Sequence, residues 1–145
     1  MRLTEHFQLS EFEKSSTAKA RGINNAIPSN LIPNIKNLCE QVLEPLRQHV
    51  GKPVVIGSGY RCPTLNKAVG GVTNSQHMTG EAADLRIPNL TEARKWMEWI
   101  ANELAFDQLI LEHCKNKDGS ISHWIHVSYS RKRNRQYVIS SMWKK

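Results

Sequence analysis

No stretch of the 145 residues is a long hydrophobic run. Spanning a bilayer takes about 20 consecutive apolar residues, so membrane insertion is not expected. The opening segment MRLTEHFQLSEFEKSS lacks the apolar h-region of a secretory signal. The chain is therefore expected to be cytoplasmic as synthesised, and another agent must release it if it acts outside that compartment. Cysteine is scarce: Cys39, Cys62 and Cys114, an odd number with no C-x-x-C pair. That excludes a disulfide framework and points to reduced thiols. No internal repeat or low-complexity tract is present. Helix-turn-helix, zinc-finger and RNP-like signals are also missing, so nucleic acid is not expected as a partner.

What is present is an ordinary globular balance, with 39% hydrophobic and 23% charged residues. The length suits one domain over residues 1–145, expected as a monomer. The net charge is +7, and much of the excess lies in SRKRNRQ and the terminal KK. Such a bias suits a polyanionic surface, including a cell wall that carries phosphate.

The order of patterns predicts an α+β fold, with helices packed on a small, mainly antiparallel sheet. LSEFEKS reads as a helix start, with Ser10 as N-cap and Glu13 closing a capping box. Leu31, Ile35, Leu38, Val42 and Leu46 follow helical spacing. Pro33 fits the first turn, whereas Pro45 should kink or end that helix. KPVVIGSGYR reads as a short buried strand running into a glycine turn. AADLRIP alternates, placing Ala82, Asp84 and Arg86 on one face and Ala83, Leu85 and Ile87 on the other. LTEARKWMEWIANEL is amphipathic, with Ala93, Trp96, Met97, Ile100 and Leu104 facing inward and Trp99 at a helix interface. FDQLILE and HWIHVSYS, joined by NKDGS, predict a hairpin.

Within this frame SQHMTGEAAD places His77 and Asp84 on either side of a glycine and two alanines. Imidazole nitrogen and carboxylate oxygen are zinc ligands. Gly80 permits the chain to turn back, so that both side chains can meet, and Ala82 leaves room around them. His126 offers a third ligand. It lies mid-strand with Trp124 and Ser128 on its face, while Ile125, Val127 and Tyr129 point the other way. His113 and His123 sit nearer the loop, and His6 and His49 have no polar neighbours in sequence.

The string SGYRCPTLNKAVGGVTNSQHMTGEAADL, followed by WIHVSY, resembles the zinc peptidases of the M15 family. These are D-alanyl-D-alanine carboxypeptidases and phage endolysin endopeptidases. The pattern S-G-Y-R, S-x-H-x-x-G-x-A-x-D and H-V-S falls on Ser58 to Arg61, on Ser75, His77, Gly80, Ala82 and Asp84, and on His126 to Ser128. The resemblance extends to LTEHFQLSEFEKS and FDQLILE. It implies a Hedgehog/DD-peptidase-like fold, Zn2+ held by His77, Asp84 and His126, and a peptidoglycan stem peptide as substrate. Zinc in such a site acidifies water and polarises the scissile carbonyl.

A general base is then required. Several relatives carry a carboxylate three residues before the last histidine ligand, where this chain has His123. Imidazole can do that work. Glu112, on the partner strand of the hairpin, is the other candidate. It is favoured because an ideal strand would point His123 away from the face of His126. The resemblance gives Arg61 a role in binding substrate and stabilising oxyanion charge. Ser75 would orient His77 or touch substrate, and Tyr60 and Trp124 would line the peptide cleft. Asn66 reads as a residue that fixes its loop through hydrogen bonds. The absence of an export signal, the small size and the basic end suggest a phage or prophage lysis enzyme. The other reading is a non-catalytic wall-binding or phage structural module of the same fold.

Overall fold

The computed structural model, which describes residues 1–144, begins with two short helices, α1 (Ser10–Glu13) and α2 (Ser16–Arg21). Ser10 does not cap α1. Leu9 holds the cap position without a side-chain bond, and Glu11 rather than Glu13 reaches back, accepting from the Gln8 N–H at 2.7 Å. Glu13 instead accepts from the Ile27 N–H at 2.8 Å, because it faces the following loop. The cap the sequence reading missed is Ser15, whose hydroxyl accepts from the Ala18 N–H at the start of α2.

The periodic stretch after Leu31 forms α3 (Ile32–Leu38), a π turn (Cys39–Leu43) and α4 (Glu44–Val50) without a break. Pro45 does not end this rod. Proline has no N–H to donate to the carbonyl one turn back. The helix absorbs that loss in the wider turn ahead of it, where the Glu44 N–H bonds to the Cys39 carbonyl. Leu38, Val42, Leu43 and Leu46 are fully buried along its inner side. Burial pushes the Cys39 thiol far up, with nearby Glu11, Glu44 and Glu40 adding to it, so this cysteine is an inert core residue.

α5 (Pro63–Ala68) is capped by the Cys62 sulfur, which accepts from the Leu65 N–H, and α6 (Leu90–Glu103) by Asn89, which accepts from the Glu92 N–H. Ala93, Trp96, Met97 and Ile100 of α6 are buried and Leu104 is half-buried. Trp99 stacks on His49 of α4, with ring centroids 4.2 Å apart, at the interface between the two helices. Among the described residues no helix is long and apolar enough to cross a membrane.

The sheet contains β1 (Ile56–Ser58), β2 (Ala82–Leu85), β3 (Gln108–Lys115), β4 (Ile121–Ser128) and β5 (Tyr137–Lys144). Their order is β1-β2-β4-β3-β5, antiparallel except where β5 runs parallel to β3. The fold class is therefore α+β as expected, but two elements differ. β1 is a three-residue edge strand, half exposed rather than buried. β5 was not foreseen at all. The chain after Ser128 crosses the start of β3 and returns alongside it, instead of forming only a basic tail.

Strand alternation then divides the molecule in two. Ala83, Leu85, Leu109, Leu111, Ile125 and Val127 face the helices and form the core with them. The opposite face carries Asp84, His126, Glu112 and Trp124. The segment 59–77, which includes α5, is tied to α1 and closed on itself. The Tyr60 N–H bonds to the Phe12 carbonyl at 2.8 Å, and the Arg61 N–H bonds to the His77 carbonyl at 3.1 Å. Gly59 is there because of close approach: a Cβ on it would lie 2.7 Å from Phe12 Cα. Gly59→Ala is expected to destabilise the protein by about 1–3 kcal/mol, read from the denaturation midpoint. An unchanged midpoint would contradict this packing.

Candidate metal centre

Ser75 opens a 3-10 turn (Gln76–Thr79), its hydroxyl accepting from the His77 N–H at 3.2 Å. Gly80 ends the turn in the left-handed region at φ 74, and a Cβ there would meet Ile35 Cγ1 at 2.8 Å. The chain then returns as β2, where Asp84 lies directly across from His126 of β4. The turn and the register bring three side chains to one point. Asp84 Oδ1 is 3.3 Å from His77 Nε2 and 3.0 Å from His126 Nδ1. The two imidazoles meet at an edge, with centroids 5.2 Å apart. Ala82, almost fully buried, lies two residues before Asp84 on the same face of β2.

The donors fit a metal. His77 Nδ1 lies 2.7 Å from the Gly59 carbonyl oxygen, which can only accept, so this nitrogen carries a proton. In neutral imidazole that leaves Nε2 as a lone pair aimed at the Asp84 carboxylate, an arrangement a cation between them would satisfy. A ligating imidazole whose other nitrogen is fixed by a carbonyl is the usual support for a metal ligand. Two nitrogens and one carboxylate oxygen, all within 4.8 Å of one another, form a zinc-type donor set. Burial pushes the Asp84 carboxyl up, but the His77 and His126 imidazoles outweigh it and hold the group well below the usual carboxylate range.

Glu112 shares this face, though one step away: its direct partner is Trp124, and Ile110 lies opposite His126. It is a diagonal neighbour of His126 and nearly fully buried. The Trp124 indole N–H donates to Glu112 Oε1 at 2.8 Å. His123 lies directly across from His113, the two rings 5.4 Å apart, with Trp143 against His113. The register puts this pair on the sheet side away from His126, as ideal alternation predicts.

Half-buried Arg61 reaches Ser75 Oγ at 3.5 Å, and its Nε is buried without a partner. It forms no ion pair among the described residues. Burial lowers its pKa, opposed by the negative charges of Asp84 and Glu112. Two depressions flank Asp84. One of about 460 Å³ is lined by Arg86, Ile87, His123 and Trp124, and one of about 240 Å³ by Lys14, Thr17, Tyr60 and Arg61. Both include Gly57, Ser58 and Asp84 in their walls. Tyr60 is 5% exposed and packs in the core, and it also lines the smaller depression.

Two supports escaped sequence reasoning. Asn25 is buried and clamps the Arg61 loop, donating to the Tyr60 carbonyl at 2.9 Å and accepting from the Cys62 N–H at 2.8 Å. Nothing in NNAIPSN marks that one asparagine out. Asp107 is also buried, bound by both Arg135 Nε and Nη2 and by the Gln76 amide next to His77. Asn66 does fix its loop as expected, donating to the Val72 carbonyl at 2.8 Å.

A second acid and imidazole group, Glu5, His6 and Glu44, lies at the surface. Its members satisfy each other, with His6 Nδ1 2.7 Å from Glu44 Oε2 and Gln48 donating to both carboxylates. Burial works against the Glu44 charge, but the His6 and Gln48 bonds outweigh it and lower its pKa from 4.5 to about 2. A depressed folded pKa stabilises above the unfolded value and is lost as pH falls toward 2. Wild type should exceed Glu44→Gln by about 1–2 kcal/mol at neutral pH, with the gap closing below pH 4.5. Parallel stability curves across that range would contradict the assignment.

The sequence profile of the family described as Peptidase M15 matches residues 5–128 of this chain. A zinc D-Ala-D-Ala carboxypeptidase of Streptomyces albus G is 48% identical over 44 residues. That stretch is 30% of this chain and 17% of the relative, so the likeness covers a small part of the longer protein.

Proposed function

Because the chain belongs to the peptidase M15 family, we propose that it is a zinc peptidase that hydrolyses peptide bonds in peptidoglycan stem peptides. The observation that carries this reading is the convergence of His77 Nε2, Asp84 Oδ1 and His126 Nδ1, with the other nitrogen of His77 held by a backbone carbonyl. These three residues would hold Zn2+. When bound, the metal would supply a Lewis acid that polarises a carbonyl and makes water more acidic.

The remaining steps fall to the chain's own groups. Glu112 takes a proton from the attacking water as its oxygen bonds to the carbonyl carbon. The same carboxyl then gives that proton to the departing amine as the C–N bond breaks. Arg61, which has no carboxylate partner among the described residues, offers its guanidinium to the oxyanion or to a substrate carboxylate. Ser75 accepts from the His77 N–H and from the Arg61 guanidinium, so one hydroxyl links the ligand's backbone to the guanidinium. Trp124 donates its indole N–H to one oxygen of Glu112 and lines the larger depression. His123 is the weaker base because it faces away from His126.

The bond cut is tested by mass spectrometry of purified stem peptides after digestion. Loss of one terminal alanine identifies a carboxypeptidase, and a cut within the stem identifies an endopeptidase. No cleavage by folded, zinc-loaded protein would favour a non-catalytic wall-binding module of the same fold.

A further inference from the structure

The segment after Ser128 lies beyond the residues matched by the family profile, yet it reaches the candidate site at two places. Arg135 binds Asp107 through two parallel bonds of 2.8 and 2.9 Å, and Asp107 Oδ2 accepts from Gln76 in the turn that carries His77. Farther along, β5 brings Lys144 Nζ to 3.0 Å from Glu112 Oε2. The strand is anchored where it begins. Gln136, at φ 53, bonds through its backbone and side chain to Phe106 and through its amide to Leu104. Tyr137 then donates to the Asp107 carbonyl at 2.9 Å. These anchors start the pairing with β3, and an irregularity between Ile110 and Glu112 shifts it by one residue, so that Met142 lies opposite Glu112 and Lys144 opposite Cys114, on the Glu112 side of the sheet.

The pair is not an ordinary surface ion pair. The Glu112 side chain is only 4% exposed, and each of its oxygens has its own donor, Trp124 Nε1 on Oε1 and Lys144 Nζ on Oε2. Two donors from different strands fix both the position and the plane of the carboxylate, which neither does alone. A base must sit within hydrogen-bond reach of the proton it takes.

We propose that Lys144 is a positioning residue for Glu112, delivered by β5 from outside the family-matched part of the chain. This inference rests on the reading of Glu112 as general base. It makes β5 part of the working site and not only an added edge strand. It also gives the basic end of the chain an internal role: Arg135 and Lys144 engage buried carboxylates, and only part of that positive charge remains for a polyanion.

The test compares Lys144→Met, Lys144→Arg and, as a control for loosening of β5, Val138→Ala. Two readouts are taken. In the 15N-labelled protein, the Trp124 indole N–H cross-peak, assigned with Trp124→Phe, reports the other side of the same carboxylate without substrate or metal. In zinc-loaded protein, kcat and KM are measured on stem peptides. Lys144→Met should shift the cross-peak and lower kcat about 10- to 100-fold with KM little changed. Lys144→Arg should restore both, and Val138→Ala should move neither. An unmoved cross-peak or an unchanged kcat in Lys144→Met overturns the proposal. So does a Val138→Ala effect as large as that of Lys144→Met. If zinc-loaded wild type hydrolyses nothing, the functional reading fails separately. The cross-peak then decides alone: a shift restored by arginine upholds the positioning contact, and no shift removes it.

Discussion

Asp84→Ala is expected to remove zinc binding and hydrolysis together. Asp84 Oδ1 is the atom both imidazoles share, at 3.3 Å from His77 and 3.0 Å from His126. Without it two nitrogens remain, with no anion to offset the metal charge. Losing a group that merely supports a metal ligand already costs about 10- to 100-fold in metal affinity. Losing a ligand from a set of three should cost at least about 100-fold, enough to leave the purified protein without metal. The fold should survive, because the core face of β2 is made by Ala83 and Leu85. Elemental analysis of the folded variant checks the first part and peptide hydrolysis the second. His77→Ala and His126→Ala should behave alike. Zinc held by Asp84→Ala at wild-type affinity would remove the carboxylate from the ligand set.

Glu112→Gln should separate the metal from the chemistry. The amide keeps an oxygen for the Trp124 indole and nearly the same shape, but it cannot accept a proton from water. Zinc content should therefore match wild type, while kcat falls about 100- to 10,000-fold, the usual contribution of a general base. His123→Ala should change kcat by less than about 3-fold, since that ring lies across from His113 on the other side of the sheet. The opposite result, a slow His123→Ala and an active Glu112→Gln, would exchange the two assignments. Retained zinc together with lost turnover is what distinguishes a lost base from a lost ligand.

These effects depend on positions that were unevenly legible in the sequence. Local pattern carried the amphipathic helix with Trp96 and Ile100 inside, the alternation that sends Asp84 away from Ala83 and Leu85, the hairpin, and the turn at Gly80. Each follows from neighbours a few residues apart. Pro45 misled because helical periodicity does not show that a π turn can absorb a missing N–H. Ser10 misled because a capping motif competes with whatever contacts the preceding residues already make. Pairing across long separations was not legible. That Asp84 lies opposite His126, and Glu112 opposite Trp124, is set by register and cannot be read from either strand alone. β5 was hidden for a related reason. It is exposed over most of its length and so lacks the alternation that marks a half-buried strand. Asn25 and Lys144 gave no signal, because their importance lies entirely in what the fold places beside them.

The most direct test of the zinc peptidase reading follows stem-peptide hydrolysis by wild-type protein through one cycle of metal removal and return. Cleavage is measured by mass spectrometry before chelation, after the chelator is dialysed away, and after about one equivalent of zinc per chain is added back. A zinc peptidase should show hydrolysis, its loss, and its recovery, with the same bond cut at both ends of the cycle. Undiminished cleavage by the metal-free protein, or none by folded protein carrying zinc, would contradict it.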